Sequence, residues 1–286
     1  MTTAHLNGDM EVRAEISYVT NSPTRADEPL EFVTEDESRS TMETFPGRVV
    51  AIRDARPLAT TLDREGFRLA RHSSTVANFG LIEEDPGTDQ LYVTEMTQLL
   101  QEVTGAEFVL LLGGAKKRFG EAAKAELSGL ANAKPARYPH ADNTDSSADV
   151  LFGLIRTHLG DKVPTGRRWA MYNMWRAVSP PPQDIPLAIC DATSVAASDE
   201  ITVTAVTTTR DSGDLRHDTT GYKYNPSHRW HYYPDMTVDE VIVFKAHDSD
   251  PAHSSRVPHS AFNHPGCPPG TPTRASVEAR GLVIFG

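Results

Sequence analysis

The chain has 286 residues, a hydrophobic fraction of 38% and a formal net charge of -11, from 28 basic and 39 acidic residues. That balance speaks against a nucleic-acid binder, whose affinity comes mostly from Lys and Arg neutralising phosphates, and against a polybasic membrane anchor. The length allows a substantial buried core with no disulfide or metal needed merely to fold. Cys190 and Cys267 form no CxxC pair, so neither a zinc ribbon nor a thioredoxin-like motif is expected and a reducing compartment is the default. The N-terminal MTTAHLNGDMEVRAE is polar and lacks the apolar centre of a signal peptide. The most apolar short run, Phe108 to Leu112, falls far below the ~20 residues that cross a bilayer. We therefore expect a cytoplasmic protein with no nucleic-acid or membrane partner; its oligomeric state is open, a homodimer included.

In chain order, residues 1–44 read as an N-terminal arm, partly extended, because Thr20 to Thr41 are rich in acids, Ser and Pro. Arg48 to Arg53 and the FRLAR segment of residues 67–71 read as short strands. Asp89 to Thr104 places Leu91, Met96, Leu99, Leu100 and Val103 at helical spacing. Glu107 to Leu112 reads as a buried strand, and Lys116 to Leu130, rich in Ala, Lys, Glu and Leu, as a second helix. Ala148 to Leu159 reads as a third, with Asp145 or Ser146 as its N-cap. From Arg168 onward, short β-branched and aromatic runs alternate with Pro- and Gly-containing turns. They are Trp169 to Trp175, Ile201 to Thr209, Gly221 to Tyr224, Val241 to Lys245, Ser260 to Phe262 and Ser276 to Phe285. Helices early and many short strands late predict a mainly β fold with flanking helices, and one domain over residues 45–286.

The sharpest chemical feature is Tyr138-Pro139-His140-Ala141-Asp142. On a strand, His140 and Asp142 point to one face. An imidazole nitrogen and a carboxylate oxygen can then serve one ion. A distant histidine would complete a two-His, one-carboxylate triad with three open positions, the arrangement of non-haem iron(II) oxygenases. HxD alone is a common pattern, but the C-terminal region adds Arg256-Val257-Pro258-His259 and, fifteen residues after His259, Arg274-Ala275-Ser276. Arg274 and Ser276 share a strand face. A planar guanidinium fork plus a hydroxyl suits the distal carboxylate of 2-oxoglutarate, whose other end would chelate the metal.

These motifs lie within longer segments: LDREGFRLARH at 62–72, HADNT at 140–144, YNMWRAV at 172–178 and PLAICDATSV at 186–195. Further on come HRWHYYPDMTVDEVIVFKAHDSD at 228–250, RVPHSAF at 256–262 and RASVEARGLVIF at 274–285. Together they resemble the oxygenase family that includes the cephamycin 7-hydroxylation component, fungal gibberellin-desaturase-like proteins and a fungal meroterpenoid endoperoxygenase. The resemblance covers the chain from about residue 45 to the end. It implies a double-stranded β-helix (jelly-roll, cupin-like) core, Fe(II), 2-oxoglutarate and O2, and oxidative tailoring of a small-molecule secondary metabolite. The chain has Arg-Ala-Ser where relatives often have Arg-Glu-Ser, and Trp-Arg-Ala where Trp-Arg-Pro is common; neither change touches an expected ligand.

The expected metal ligands are thus His140, Asp142 and His259, and the expected co-substrate anchors Arg274 and Ser276, with Arg280 on the same strand face as the competitor to Arg274. Strand alternation groups Asn173 and Trp175 on one face and Tyr172 and Met174 on the other, without saying which face lines a cavity. Asn173, Trp175 and Tyr138 are the candidate substrate contacts, weighed against simple core packing. His228 and His231 make a weaker alternative metal pair. Two rival readings stay open at this point: a jelly-roll metalloenzyme independent of 2-oxoglutarate, and a non-catalytic partner subunit.

Overall fold

The structure is a computed structural model that describes residues 11–20, 29–33, 39–44, 47–120, 135–209 and 213–286. The first strands are β1 (Glu11–Ile16), β2 (Val19–Thr20), β3 (Glu31–Val33), β4 (Glu43–Thr44), β5 (Arg48–Asp54) and β6 (Phe67–Arg71). Helix α1 (Pro86–Thr104), β7 (Phe108–Leu111), β8 (Lys116–Phe119), β9 (His140–Ala141) and helix α2 (Asp145–Leu159) follow. The remainder is β: β10 (Trp169–Ala177), β11 (Leu187–Cys190), β12 (Glu200–Thr209), β13 (Gly213–Tyr222), β14 (Trp230–Tyr232), β15 (Glu240–Asp248), β16 (His259–Ala261) and β17 (Ala275–Ile284).

Nine strands form one sheet in the order β1-β5-β14-β11-β16-β9-β13-β12-β3, and a second runs β6-β15-β10-β17-β7, with β8 also paired to β17. Side-chain alternation shows how the two face each other. Leu187 and Ile189 of β11 pack with Trp175 and Ala177 of β10 and with Ile242 and Phe244 of β15. The intervening Ala188 and Cys190 pack with Ile52, Trp230 and Phe262 on the outer face of the larger sheet. Alternation on β10 likewise sends Ala170, Tyr172 and Met174 outward onto Met96, Leu99 and Leu100 of α1. The result is a jelly-roll core, as the resemblance implies, with helices on its outside, as the sequence pattern predicts. Helix α2 covers one end of the interior, packing Leu151, Phe152, Ile155 and Leu159 against Trp169, Met171, Leu282 and Ile284. No helix among the described residues is long and apolar enough to cross a membrane.

Both helices have local reasons to start where they do. Asp85 caps α1 by accepting from the Thr88 N–H at 2.7 Å, Pro86 takes the first turn, and Gly105 ends it at φ 67°. Thr144, rather than Asp145 or Ser146, caps α2, in a reciprocal box with Ser147. A helix expected over Lys116 to Leu130 is corrected at its start: Lys116–Phe119 is β8, paired with Ala275 to Glu278 of β17. Ladder pairing outweighs the helix propensity of Lys and Arg there; residues 121–134 lie outside the described residues. Strand β13 is longer than the expected Gly221 to Tyr224, pairing with β12 from Gly213 to Tyr222. Its first part, DLRHD, is exposed and polar, so it carries no apolar alternation to read. Strands β1 and β3, from the segment read as an arm, pair with β5 and β12 in the large sheet.

The small sheet and α1 pack tightly at Gly281 of β17, where an added Cβ would stand 2.4 Å from Leu100 Cδ2. Gly281→Val should therefore lower unfolding stability by about 1–3 kcal/mol through overpacking. Urea denaturation measures this, and an unchanged midpoint would contradict the packing described.

Candidate metal and co-substrate site

Strand β9 is short, but its alternation is clear. Ala141 points into the outer cluster of the large sheet, so His140 and Asp142 face the interior. His140 lies opposite His259 of β16 and Gly221 of β13, and His259 lies opposite Ile189 of β11. The adjacent strands β9 and β16 thus bring both histidines to one level of the interior, with ring centroids 4.2 Å apart. The ligand atoms of His140, Asp142 and His259 all lie within 4.8 Å of one another.

Each histidine is oriented by the backbone. His140 Nδ1 is 3.0 Å from the Tyr138 carbonyl, and His259 Nδ1 is 3.1 Å from the Val257 carbonyl. A carbonyl only accepts, so both rings carry their proton on Nδ1 and present the Nε2 lone pair to the shared space. Burial, and then the neighbouring His259, push His140 down to about 4, so it is neutral around pH 7.

Asp142 is held from the opposite sheet. Asn173 Nδ2 of β10 donates to its Oδ2 at 2.5 Å, and Arg280 of β17 donates to its Oδ1 at 3.1 Å. Asn173 and Arg280 are themselves paired in the β10–β17 ladder. Burial alone would raise the Asp142 pKa, but Arg280, the two histidines and the Asn173 hydrogen bond outweigh it, leaving the carboxylate ionised well below its usual range. His217 Nε2 donates to the Asp142 carbonyl at 2.7 Å, and Thr220 Oγ1 to the Asn143 carbonyl at 2.9 Å, which fixes the turn into α2. Two imidazole nitrogens and one carboxylate oxygen on one side of a buried space fit a divalent iron and leave its other side open.

Strand β17 supplies the remaining charges. Val277, Ala279 and Val283 pack outward against α1, so Ser276, Glu278 and Arg280 point inward, in phase with Arg274 just before the strand. Arg274 is 2% exposed, with its guanidinium over the Trp175 ring at 5.6 Å. Its Nη1 donates to the Ile185 carbonyl at 3.2 Å, while the buried Nε finds no partner among the described residues. Burial and the nearby Arg137 push its pKa down to about 10. A buried, incompletely paired guanidinium of this kind fits a carboxylate. The Ser276 hydroxyl lies 3.4 Å from the Arg118 carbonyl.

Arg280, the competitor to Arg274, is engaged elsewhere: it bridges Asp142 and Glu278, donating to the latter through Nε at 2.9 Å. Its side chain keeps 43% of its accessible area although protein surrounds it, so it borders the open interior. Asn173 and Trp175 lie on the inward face of β10, the first against Asp142 and the second beneath Arg274. Tyr138 packs its ring 5.0 Å from both His140 and Phe32. His228 contacts Asp199 and Tyr18, while His231 packs by Phe67. Glu278, which the sequence offers as an ion-pair partner for Arg274, pairs with Arg280, whereas His217 gives no local signal in the sequence.

Asn173→Ala should weaken iron(II) binding about tenfold by freeing one oxygen of Asp142, and Asp142→Ala should abolish it, both with native circular dichroism. Equilibrium dialysis against iron(II) reads this; an unchanged affinity in Asn173→Ala would contradict the orienting role.

Three comparisons bear on this geometry. The family model described as "Oxidoreductase/YMDC permease-like domain" matches residues 16–284. The hydroxylase/desaturase efuI of Hormonema carpetanum is 31% identical over 241 residues, covering 79% of each chain. The alpha-ketoglutarate-dependent dioxygenase phiK of Fungal sp. (strain ATCC 74256) is 26% identical over 256 residues, covering 82% of this chain and 83% of its own. Among solved structures, the iron and alpha-ketoglutarate-dependent endoperoxidase NvfI superposes with a TM-score of 0.78 at 24% identity, over 96% of this chain and 98% of that one; this likeness concerns the fold. Its namesake from Aspergillus novofumigatus is 27% identical over 246 residues, 83% of each chain. With the family model spanning nearly its whole length, the chain belongs to this oxidoreductase family, whose relatives here are fungal hydroxylase/desaturases and iron(II)- and 2-oxoglutarate-dependent dioxygenases.

Proposed function

We infer that the protein is an iron(II)- and 2-oxoglutarate-dependent dioxygenase that carries out oxidative tailoring of a small natural product by hydroxylation, desaturation, cyclisation or endoperoxidation, in the cytoplasm. The observation that carries this reading is the pairing of a His140–Asp142–His259 ligand set with a buried, incompletely paired Arg274 on the facing sheet. A hydrolytic or isomerising metalloenzyme has no use for the second element. The residues that carry the chemistry lie within 45–286, and β1 and β3 complete the sheet that holds them.

In this reading His140, Asp142 and His259 hold the iron, and Arg274 with Ser276 receives the distal carboxylate of 2-oxoglutarate. When bound, the metal and 2-oxoglutarate together supply the chemistry, coupling conversion of 2-oxoglutarate and O2 into succinate and CO2 to removal of hydrogen from an unactivated carbon. The chain's own part is placement. The Tyr138 and Val257 carbonyls hold the two imidazoles in one tautomer and orientation. Asn173 and Arg280 hold Asp142 from the other sheet, so we assign Asn173 to positioning the ligand rather than to gripping substrate. Trp175 supports the Arg274 guanidinium from beneath. Phe244, its ring 4.8 Å from that of His259, gives the site an apolar wall that keeps bulk water from the ligands.

Arg274→Lys should raise the KM for 2-oxoglutarate about tenfold or more, because a point charge does not replace a two-pronged donor. Succinate release with 2-oxoglutarate as the varied component measures it. An unchanged KM would remove Arg274 as the anchor, and no succinate under any condition would sink the oxygenase reading.

A further inference from the structure

Arg118 lies on β8 opposite Ser276 of β17. Residues opposite one another in an antiparallel ladder put their side chains on the same face, with Cβ atoms about 5 Å apart. Ser276 faces the interior, and so does Arg118. Its neighbour Lys117 confirms the alternation: the Lys117 ammonium leaves on the other side, donating to the Gly80 carbonyl at 2.7 Å and to Glu84 at 2.6 Å. Two residues beyond Arg118, the Gly120 N–H donates to the Arg274 carbonyl at 2.8 Å, so Arg274 is the diagonal neighbour of Arg118 across the ladder. Arg118, Ser276 and Arg274 therefore form a triangle on one inward-facing patch.

The positive charge of Arg118 acts both on Arg274 and on Glu278. Among the described residues, the carboxylates beside Arg118 and Arg274 are Asp184, whose Oδ1 accepts from the Arg274 backbone N–H at 2.8 Å, and Glu278, which is already shared with Arg280. Among the described residues, the one hydrogen bond from the Arg118 guanidinium goes to the Lys117 carbonyl at 3.3 Å, a long contact. Two converging cations over a serine hydroxyl form a receptor for one carboxylate, gripped from two directions.

We propose that Arg118 is a co-substrate-binding residue which, with Arg274, clamps the distal carboxylate of the co-substrate and sets the preference for a dicarboxylic over a monocarboxylic 2-oxo acid. This rests on the 2-oxoglutarate reading above. It assigns to β8 a task that the RxS segment alone does not fill.

The test is anaerobic calorimetric binding to the iron(II)-loaded full-length protein, using 2-oxoglutarate and 2-oxobutyrate, which shares the keto-acid head but lacks the distal carboxylate. The wild type should prefer 2-oxoglutarate. Arg118→Gln should lose about ten- to a hundredfold in 2-oxoglutarate affinity and leave 2-oxobutyrate binding unchanged, while Arg118→Lys should recover part of the loss. Circular dichroism and iron affinity of both variants should match the wild type. Wild-type binding of 2-oxoglutarate with an unchanged affinity in Arg118→Gln overturns this inference alone, as does an equal loss for both acids. A wild type that binds no 2-oxoglutarate overturns the co-substrate reading and this inference with it.

Discussion

A buried carboxylate must be compensated, and in this protein the compensation for Asp142 comes from the opposite sheet. Asp142 belongs to the chain segment leaving β9 in the large sheet; Asn173 and Arg280 belong to paired positions of β10 and β17 in the small one. The two sheets are therefore joined at the ligand set by a hydrogen bond and an ion pair as well as by apolar contact. Removing either partner would leave a charge without its counterpart in a place where water is scarce, the situation in which buried ionic groups become costly. The same constraint accounts for Glu278, which takes the other side of the Arg280 guanidinium.

The rest of the site follows from strand alternation. Strand β17 presents Val277, Ala279 and Val283 to α1 and Ser276, Glu278 and Arg280 to the interior. One strand thus serves two opposite demands, an apolar seat for a helix and a polar wall for the site. Gly281 leaves room for Leu100 of that helix. The large sheet obeys the same rule on β11, where Ile189, level with His259, faces inward while Ala188 and Cys190 face out.

Much of this was legible in the sequence, for physical reasons. HxD and RxS depend only on the two-residue period of a strand, which side-chain order reports directly, whereas His259 stood out by its order between them and by the family resemblance. The helical spacing of Met96, Leu99 and Leu100 likewise reports one buried stripe. Three things were not readable. Lys116–Phe119 has helix-forming residues and becomes a strand only because β17 offers it a partner. The first half of β13 is exposed and polar, so its pairing with β12 leaves no alternation. Which of Arg274 and Arg280 pairs with Asp142 was hidden too, because it is a contact between residues 138 positions apart. Strand alternation placed both on one face and could go no further.

If His140, Asp142 and His259 hold an iron that 2-oxoglutarate chelates, anaerobic titration of iron(II) and then 2-oxoglutarate into metal-free protein will give the visible charge-transfer absorption of the chelated keto acid. The band should saturate at one equivalent of each and be absent in His259→Ala. Iron binding without a band, or a band that survives loss of His259, would rule this site out.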